Sequence, residues 1–298
     1  MKQVKILIAV LFVLALGIFG IYTVRDRMFT DYSAPVISAE SDSITASVHV
    51  TDQELLEGLT ATDNLNGDVT STLVVESLSK FIKPGVRNVN YAAFDNNNNV
   101  GTYTRELTYT DYTSPEFTLK EPLRFMQSEG SEEDQLYRII GATDVLDGSI
   151  SGQIVLSTGD RYTVNGETEC LPITLQVSNR GGDTAYLEME AYYLNYSAYI
   201  RQMPDLSDYI VYTNVGEPLD FQMYIQGIRT GSTTMGIWEA GFSPTEDVEI
   251  DAAEVDFNTP GTYKVYYTLS MATEKGGRQE LGYAEQVVVV RGNDGEPE

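Results

Sequence analysis

Cysteine and histidine each occur once in this chain, as Cys170 and His49. A single cysteine excludes an internal disulfide and a Cys-based zinc site, and a single histidine excludes a multi-His metal centre. Basic residues are scarce: 19 Lys and Arg stand against 44 Asp and Glu, for a formal charge of -25. Nucleic acid is thereby excluded as a partner, because phosphate contacts need clustered Lys and Arg. No glycine-rich stretch matches a P-loop or a dinucleotide-binding fingerprint. Tryptophan occurs once, whereas tyrosine reaches 20. What is present in quantity is hydrophobic residue, 42% of 298, enough for two or three domains with cores and too much for wholesale disorder.

Only one long apolar run occurs. Ile6 to Val24 carries no charge, and as a helix at about 1.5 Å per residue it spans roughly 28 Å, close to the hydrocarbon thickness of a bilayer. Lys2 and Lys5 precede it; Arg25, Asp26 and Arg27 follow. The competing reading is a cleaved signal peptide, for which Ala15-Leu16-Gly17 offers a site. The apolar run continues past it through Ile18, Phe19, Ile21 and Tyr22, longer than a signal core of about 7–15 residues. Residues 1–28 therefore read as a cytoplasmic stub and a transmembrane signal anchor. This makes a single-pass protein of the cell membrane whose later domains are extracytoplasmic.

The rest of the chain repeats. Asp31-Tyr32-Ser33-Ala34-Pro35 returns as Asp111-Tyr112-Thr113-Ser114-Pro115, and a weaker copy is Asn195-Tyr196-Ser197-Ala198. Ala61-Thr62-Asp63-Asn64-Leu65-Asn66-Gly67-Asp68-Val69 likewise matches Ala142-Thr143-Asp144-Val145-Leu146-Asp147-Gly148-Ser149-Ile150. Two independent markers with nearly one offset imply a domain repeat, and solenoid repeats are shorter, about 20–50 residues. The expected modules are 33–112, 113–195 and 196–291, separate beads on a semi-rigid rod, followed by a flexible tail at 292–298.

Within each module the pattern is β. Ile44, Ala46, Val48 and Val50 alternate with polar neighbours, as a half-buried strand does. Gly85 to Phe94 alternates and stops at Asp95-Asn96-Asn97-Asn98-Asn99, a loop-forming run, before a returning strand from Thr102 to Thr108. Gly261 to Thr268 leads through Gly276-Gly277 to a strand ending in Val287-Val288-Val289-Val290. Short strands with frequent turns imply antiparallel β-sandwiches. The fold class is all-β: tandem Ig-like antiparallel β-sandwiches after one N-terminal transmembrane helix.

Pro35, the Ala61–Asp68 turn and the Gly85–Asp95 strand in module one, with Pro115 and Ala142–Gly148 in module two, carry a resemblance. They resemble bacterial immunoglobulin-like surface modules, the family also found in a pesticidal crystal protein. Module one departs from that pattern at Arg87 and at Asn99-Val100. Module two has lost the Gly-x-Tyr strand, replaced near Leu171 to Val177. Module three lacks the Ala-Thr-Asp turn and is similar to related surface modules through Val255-Asp256 and Thr259-Pro260-Gly261-Thr262-Tyr263. The resemblance implies fold more than activity, since such modules serve as spacers, adhesins and carriers.

Two groups of residues are candidate sites. Asp63, Asn64, Asn66 and Asp68, with Asp95 from the neighbouring hairpin, offer the oxygen donors that calcium takes in sets of six to eight. The same residue types also build ordinary turns, and no Glu closes the loop as in an EF-hand. Module two carries Asn179-Arg180-Gly181 at the corresponding hairpin, so weaker binding or none is expected there. No other cofactor is expected. The second group is Tyr192, Tyr193, Tyr196 and Tyr199, at the junction of modules two and three, where aromatic faces serve either as ligand contacts or as core.

Glu132-Glu133-Asp134 and the pair Glu188 and Glu190 read as solvated charges rather than glycosidase carboxylates, which must flank one bond at a fixed separation. His49 reads as a surface residue and Cys170 as an inert thiol at a strand edge. The expectation is a non-enzymatic surface protein that binds or positions an envelope ligand, either polysaccharide or protein. The alternatives are a stalk or scaffold for a membrane complex, and an envelope enzyme.

Overall fold

A computed structural model describes residues 2–29, 32–127, 132–164, 166 and 168–292. Asp31 of the first repeat marker and the tail beyond Gly292 lie outside them, as do the side chains of Glu132 and Glu133. The chain forms two compact units, Met1–Ile82 with Val86–Thr110, and Lys83–Gly85 with Asp111–Glu298.

Helix α1 (Lys2–Phe29) opens the first unit. Among the described residues it is the one helix long and apolar enough to cross a membrane, by length and composition, over Lys2–Arg25. Its large side chains from Val4 to Val24 are exposed, so no core among the described residues accounts for their apolar character.

The sandwich of the first unit contains β1 (Val36–Ala39), β2 (Ser43–Ala46), the short helix α2 (Asp52–Leu55), β3 (Leu59–Asp63), β4 (Gly67–Asp68), β5 (Val74–Lys83), β6 (Val86–Phe94) and β7 (Val100–Tyr109). One sheet has the order β1-β3-β4 and the other β2-β7-β6-β5. Helix α2 starts at a capping box in which Thr51 and Glu54 satisfy each other's backbone amides. It buries Leu55, whose carbonyl accepts the buried Tyr91 hydroxyl at 2.9 Å. The strand expected over 44–50 stops at Ala46, and His49 is exposed on the turn that follows.

The second unit holds two sandwiches. Its first contains β8 (Glu116–Leu119), β9 (Arg124–Met126), α3 (Glu132–Ile139), β10 (Ile140–Asp144), β11 (Gly148–Ser149), β12 (Val155–Thr158), β13 (Tyr162–Thr163), β14 (Thr168–Ser178) and β15 (Thr184–Leu194). After α4 (Tyr196–Tyr199), its second contains β16 (Gln202–Leu206), β17 (Ile210–Asn214), β18 (Ile225–Thr230), β19 (Thr233–Gly236), β20 (Val248–Asp251), β21 (Gly261–Ala272) and β22 (Arg278–Arg291). The sheets are β8-β10-β11 with β9-β15-β14-β12, and β16-β18-β19 with β17-β22-β21-β20. All three sandwiches thus share one strand order, including the last, which lacks the Ala-Thr-Asp marker.

Each sandwich also departs from pure antiparallel pairing in the same way. The edge strand β2, β9 or β17 runs parallel to its neighbour β7, β15 or β22. Alternation explains the long hairpins: Val265, Tyr267 and Leu269 of β21 are buried, while the residues between them are not. Cys170 is fully buried on β14, an interior strand paired on both sides, rather than at an edge.

The two sandwiches of the second unit are not separate beads. One continuous hydrophobic core runs from Phe117 and Leu119 through Leu175 and Leu187 to Tyr209, Val265 and Val288. Backbone and side chains cross the junction as well: Tyr209 N–H donates to the Leu119 carbonyl at 2.8 Å, and the Tyr212 hydroxyl accepts from Phe117 N–H at 2.7 Å. Arg291 reaches Glu116 at 2.8 Å.

Candidate functional site

Asp63 ends β3 on its buried face, in line with Leu59 and Ala61, and is 8% exposed. Its Oδ1 accepts the N–H groups of Leu65 at 3.1 Å and Asn66 at 2.7 Å, which bends the chain toward Gly67 at φ 70°. Its Oδ2 is buried and accepts no hydrogen bond. Asp95, 7% exposed, opens the hairpin between β6 and β7. Its Oδ1 accepts Asn97 N–H at 2.8 Å and Asn99 N–H at 2.7 Å, and its Oδ2 accepts the Asn99 carboxamide at 2.7 Å. Burial pushes the Asp95 carboxyl up, but these donors outweigh it and hold the group below the ordinary carboxylate value.

The two loops are joined where Asn66 Oδ1 accepts Asn96 N–H at 3.1 Å. The structure therefore brings together Asp63, Asn66 and the Asp95 hairpin. Asn64 instead donates to the Ser33 hydroxyl at 3.3 Å, and the exposed Asp68 accepts Thr70 N–H at 2.9 Å. Among the described residues, no three His, Cys, Asp or Glu side chains gather as a metal-holding group. What meets at this turn is two carboxylates and the carboxamides of Asn66 and Asn99.

The second unit repeats this corner with one change. Asp144 Oδ1 accepts Leu146 N–H at 2.8 Å and Asp147 N–H at 3.1 Å, and Asp147 accepts Arg180 N–H at 2.6 Å. Asn179 stands where Asp95 stands in the first unit, and its amide donates to Asp144 Oδ2 at 3.0 Å. The same amide donates to the Tyr112 hydroxyl at 2.8 Å, which donates in turn to Asp183 at 2.7 Å. Burial and the Asp183 carboxylate push the Tyr112 phenol well above its ordinary value. Tyr32, the repeat counterpart of Tyr112, is 75% exposed.

A cleft of about 510 Å³ lies in the second unit, where residues of β9, β15 and β22 meet. Tyr192 lines it, with its hydroxyl donating to Glu190 at 3.0 Å and reaching Glu285 at 3.4 Å. Lys264 lies 3.1 Å from Glu190 and 3.0 Å from Glu285. Glu190 is therefore no solvated charge: the Tyr162 hydroxyl at 2.5 Å does most to lower its pKa, burial opposes, and Lys264 assists, leaving it at about 2. Glu188, two residues along the strand, is exposed as expected.

The other tyrosines of the expected cluster go elsewhere. Tyr193 is buried on the opposite face of β15, packed against Phe125 at 5.4 Å between ring centroids and beneath the Arg161 guanidinium at 4.3 Å. Tyr196 is exposed on α4, outside the cleft, and Tyr199 lines a smaller neighbouring hollow of about 250 Å³. The sequence reading missed Tyr283 and Arg124. Tyr283 is 48% exposed at the cleft, with its ring edge-on to Tyr266 at 6.3 Å. Arg124 places one guanidinium nitrogen against the Met203 sulfur and another 3.2 Å from the Ala198 carbonyl, and among the described residues no carboxylate pairs with it. Burial pushes its pKa down. The cleft thus sets a half-exposed aromatic face beside a guanidinium and two oriented carboxylates.

No protein-family model matches the chain, and no curated protein matches it. Among solved structures, the chain is similar to the M60 catalytic domain with two CBM51 domains of Clostridium perfringens ZmpB. The identity there is 13%, over 87% of this chain and 31% of that one, with a TM-score of 0.21. It is also similar to the lipoprotein BT2262 of Bacteroides thetaiotaomicron, at 12% identity over 85% and 98% with a TM-score of 0.20. For mouse cadherin-23 EC22-24 the figures are 13%, 87%, 99% and 0.20. The chain spans about a third of the length of the ZmpB structure. The protein's own strand orders define its class: an all-β chain of tandem Ig-like sandwiches that follow one N-terminal apolar helix.

Proposed function

We propose that this is a non-enzymatic, membrane-anchored surface protein whose cleft in the second unit binds an envelope polysaccharide. Helix α1 serves as the single-pass anchor, and the acidic sandwiches lie outside the membrane. The observation that carries the reading is the cleft itself, where the half-exposed Tyr283 ring stands near Arg124, whose guanidinium pairs with no carboxylate among the described residues. Sugar rings stack on aromatic faces, and a guanidinium takes hydroxyl or anionic oxygens in a forked geometry. Glu190 and Glu285, held by Lys264, add fixed acceptors for hydroxyl groups.

The test is affinity electrophoresis of the full chain in detergent through gels containing purified wall polysaccharide. Tyr283→Ala and Arg124→Gln should each weaken retardation about tenfold, the weight of one contact of roughly 1.4 kcal/mol. Undiminished retardation in both variants would remove the cleft from the account. The second reading, a stalk that positions other membrane components, is favoured by the continuous core of the second unit. No retardation of the unmodified chain by any wall polymer would leave that reading in place.

A further inference from the structure

We infer that the first sandwich binds one calcium ion between Asp63 and Asp95, at the position where the second sandwich uses the Asn179 amide instead. The two corners share a set of hydrogen bonds. Asp63 and Asp144 each hold the two following turn amides with Oδ1, and Asn66 and Asp147 each accept the second amide of the facing hairpin. Asn98 at φ 64° and Gly182 at φ 90° occupy the same left-handed position in the two hairpins.

The hairpins differ at their first residue, Asp95 against Asn179. In the second sandwich Asn179 uses Oδ1 for the hairpin amide of Asp183 at 3.1 Å, which leaves Nδ2 to donate to Asp144 Oδ2 at 3.0 Å. In the first, Asp95 uses Oδ1 for the equivalent hairpin amide of Asn99 at 2.7 Å, and its Oδ2, where Asn179 carries nitrogen, accepts the Asn99 carboxamide at 2.7 Å. An ionised carboxylate only accepts hydrogen bonds. Asp63 Oδ2, with its residue 92% buried, is accordingly left without a donor. An unpaired buried carboxylate oxygen is costly, the more so with a second carboxylate on the neighbouring hairpin.

A shared proton or a cation relieves such a pair. The Asp95 hairpin opposes the proton, because three N–H donors converge on that carboxylate and favour its ionised form. Two carboxylates with the Asn66 and Asn99 carboxamides beside them suit a hard divalent cation. Carboxylates and carboxamides on irregular loops suit the flexible coordination of calcium better than the strict octahedron of magnesium. Two charged ligands place the affinity among weak extracellular sites, with Kd of about 10⁻⁴–10⁻³ M. This proposal is independent of the polysaccharide cleft and involves different residues.

The test uses the full chain in detergent, with equilibrium dialysis against radioactive calcium and calorimetric melting in calcium or chelator. One ion per chain is expected, with a rise of several degrees in the midpoint of the first unit's transition. Asp95→Asn should abolish binding and, by restoring the Asp144–Asn179 arrangement, bring the calcium-free midpoint up toward the calcium-loaded one. Asn179→Asp should create a second binding equivalent. No binding by the unmodified chain at about 10 mM calcium, ten times the weak end of such sites, overturns the proposal. Undiminished binding by Asp95→Asn, or a preference for magnesium, does so too.

Discussion

Arg229 Nε donates to Asp205 Oδ1 at 2.7 Å in the third sandwich, with the two side chains 12% and 1% exposed. The Asp205 carboxylate also accepts the hydroxyls of Tyr209 at 2.8 Å and Thr234 at 2.7 Å and the Gln226 amide at 3.2 Å. A register shift between Asp205 and Leu206 interrupts the pairing of β16 with β18 at this carboxylate. Removing one partner of a buried pair strands the other charge, at about 3–5 kcal/mol. Asp205→Ala should therefore destabilise the second unit by that amount in denaturant unfolding. A change below about 1 kcal/mol, the scale of an exposed pair, would show that the network is not a stability element.

Glu190 gives the second unit an acid-sensitive contact. Its folded pKa of about 2 lies below the unfolded value of ~4.3, so the folded state binds the ionised form more tightly. The resulting stability is complete above about pH 5 and is lost as pH falls toward 2, amounting to roughly 1–3 kcal/mol. Glu190→Gln should flatten the melting profile of the second unit over that interval. Parallel profiles for the two proteins would count against the Tyr162 and Lys264 contacts as its cause.

At Gly101, a Cβ would lie 1.9 Å from the Pro35 carbonyl oxygen. The obstacle is backbone immediately before β1, so no side-chain rotation relieves it. Gly101→Ala should cost about 1–3 kcal/mol or more in the first unit and leave the second unit's transition where it is. An unchanged midpoint would mean that β7 moves freely against the chain at Pro35.

Tyr112 and Tyr32 make a paired test of the repeat. Tyr112→Phe removes the hydroxyl that links Asn179 to Asp183 in a buried corner, at a cost of roughly 1–3 kcal/mol. Tyr32→Phe, at an exposed side chain, should change stability by less than about 0.5 kcal/mol. Equal effects in thermal melting would contradict the different roles of the two tyrosines.

Much of the candidate cation corner was legible in the sequence, because Asp63, Asn66 and the 95–99 run are turn-forming residues at marked positions of a repeat. Even the contrast with Asn179 was visible there. The direction of each oxygen was not: Asp68 and Asn64 belong to the same run yet spend their side chains on Thr70 and Ser33. The cleft was less legible. Tyr192 and Tyr193 are adjacent in the chain, and strand geometry sends one to the cleft and the other to the core. Tyr283 and Arg124 flank Tyr192 only after β9 and β22 are brought beside β15, and nothing local announces that.

The sequence by itself determined the apolar helix, the strands, their hairpins and the repeated sandwich plan. Each rests on a short period or a turn residue, and backbone geometry enforces those within a few residues. The tertiary structure alone decided that the last two sandwiches share a core, that Glu190 is held by Lys264, and that one oxygen of Asp63 lacks a donor. Those outcomes depend on which distant strand supplies the neighbouring atom. A polar group's state is set by the few atoms within about 3–4 Å of it, and in a β-sandwich most of those come from elsewhere in the chain.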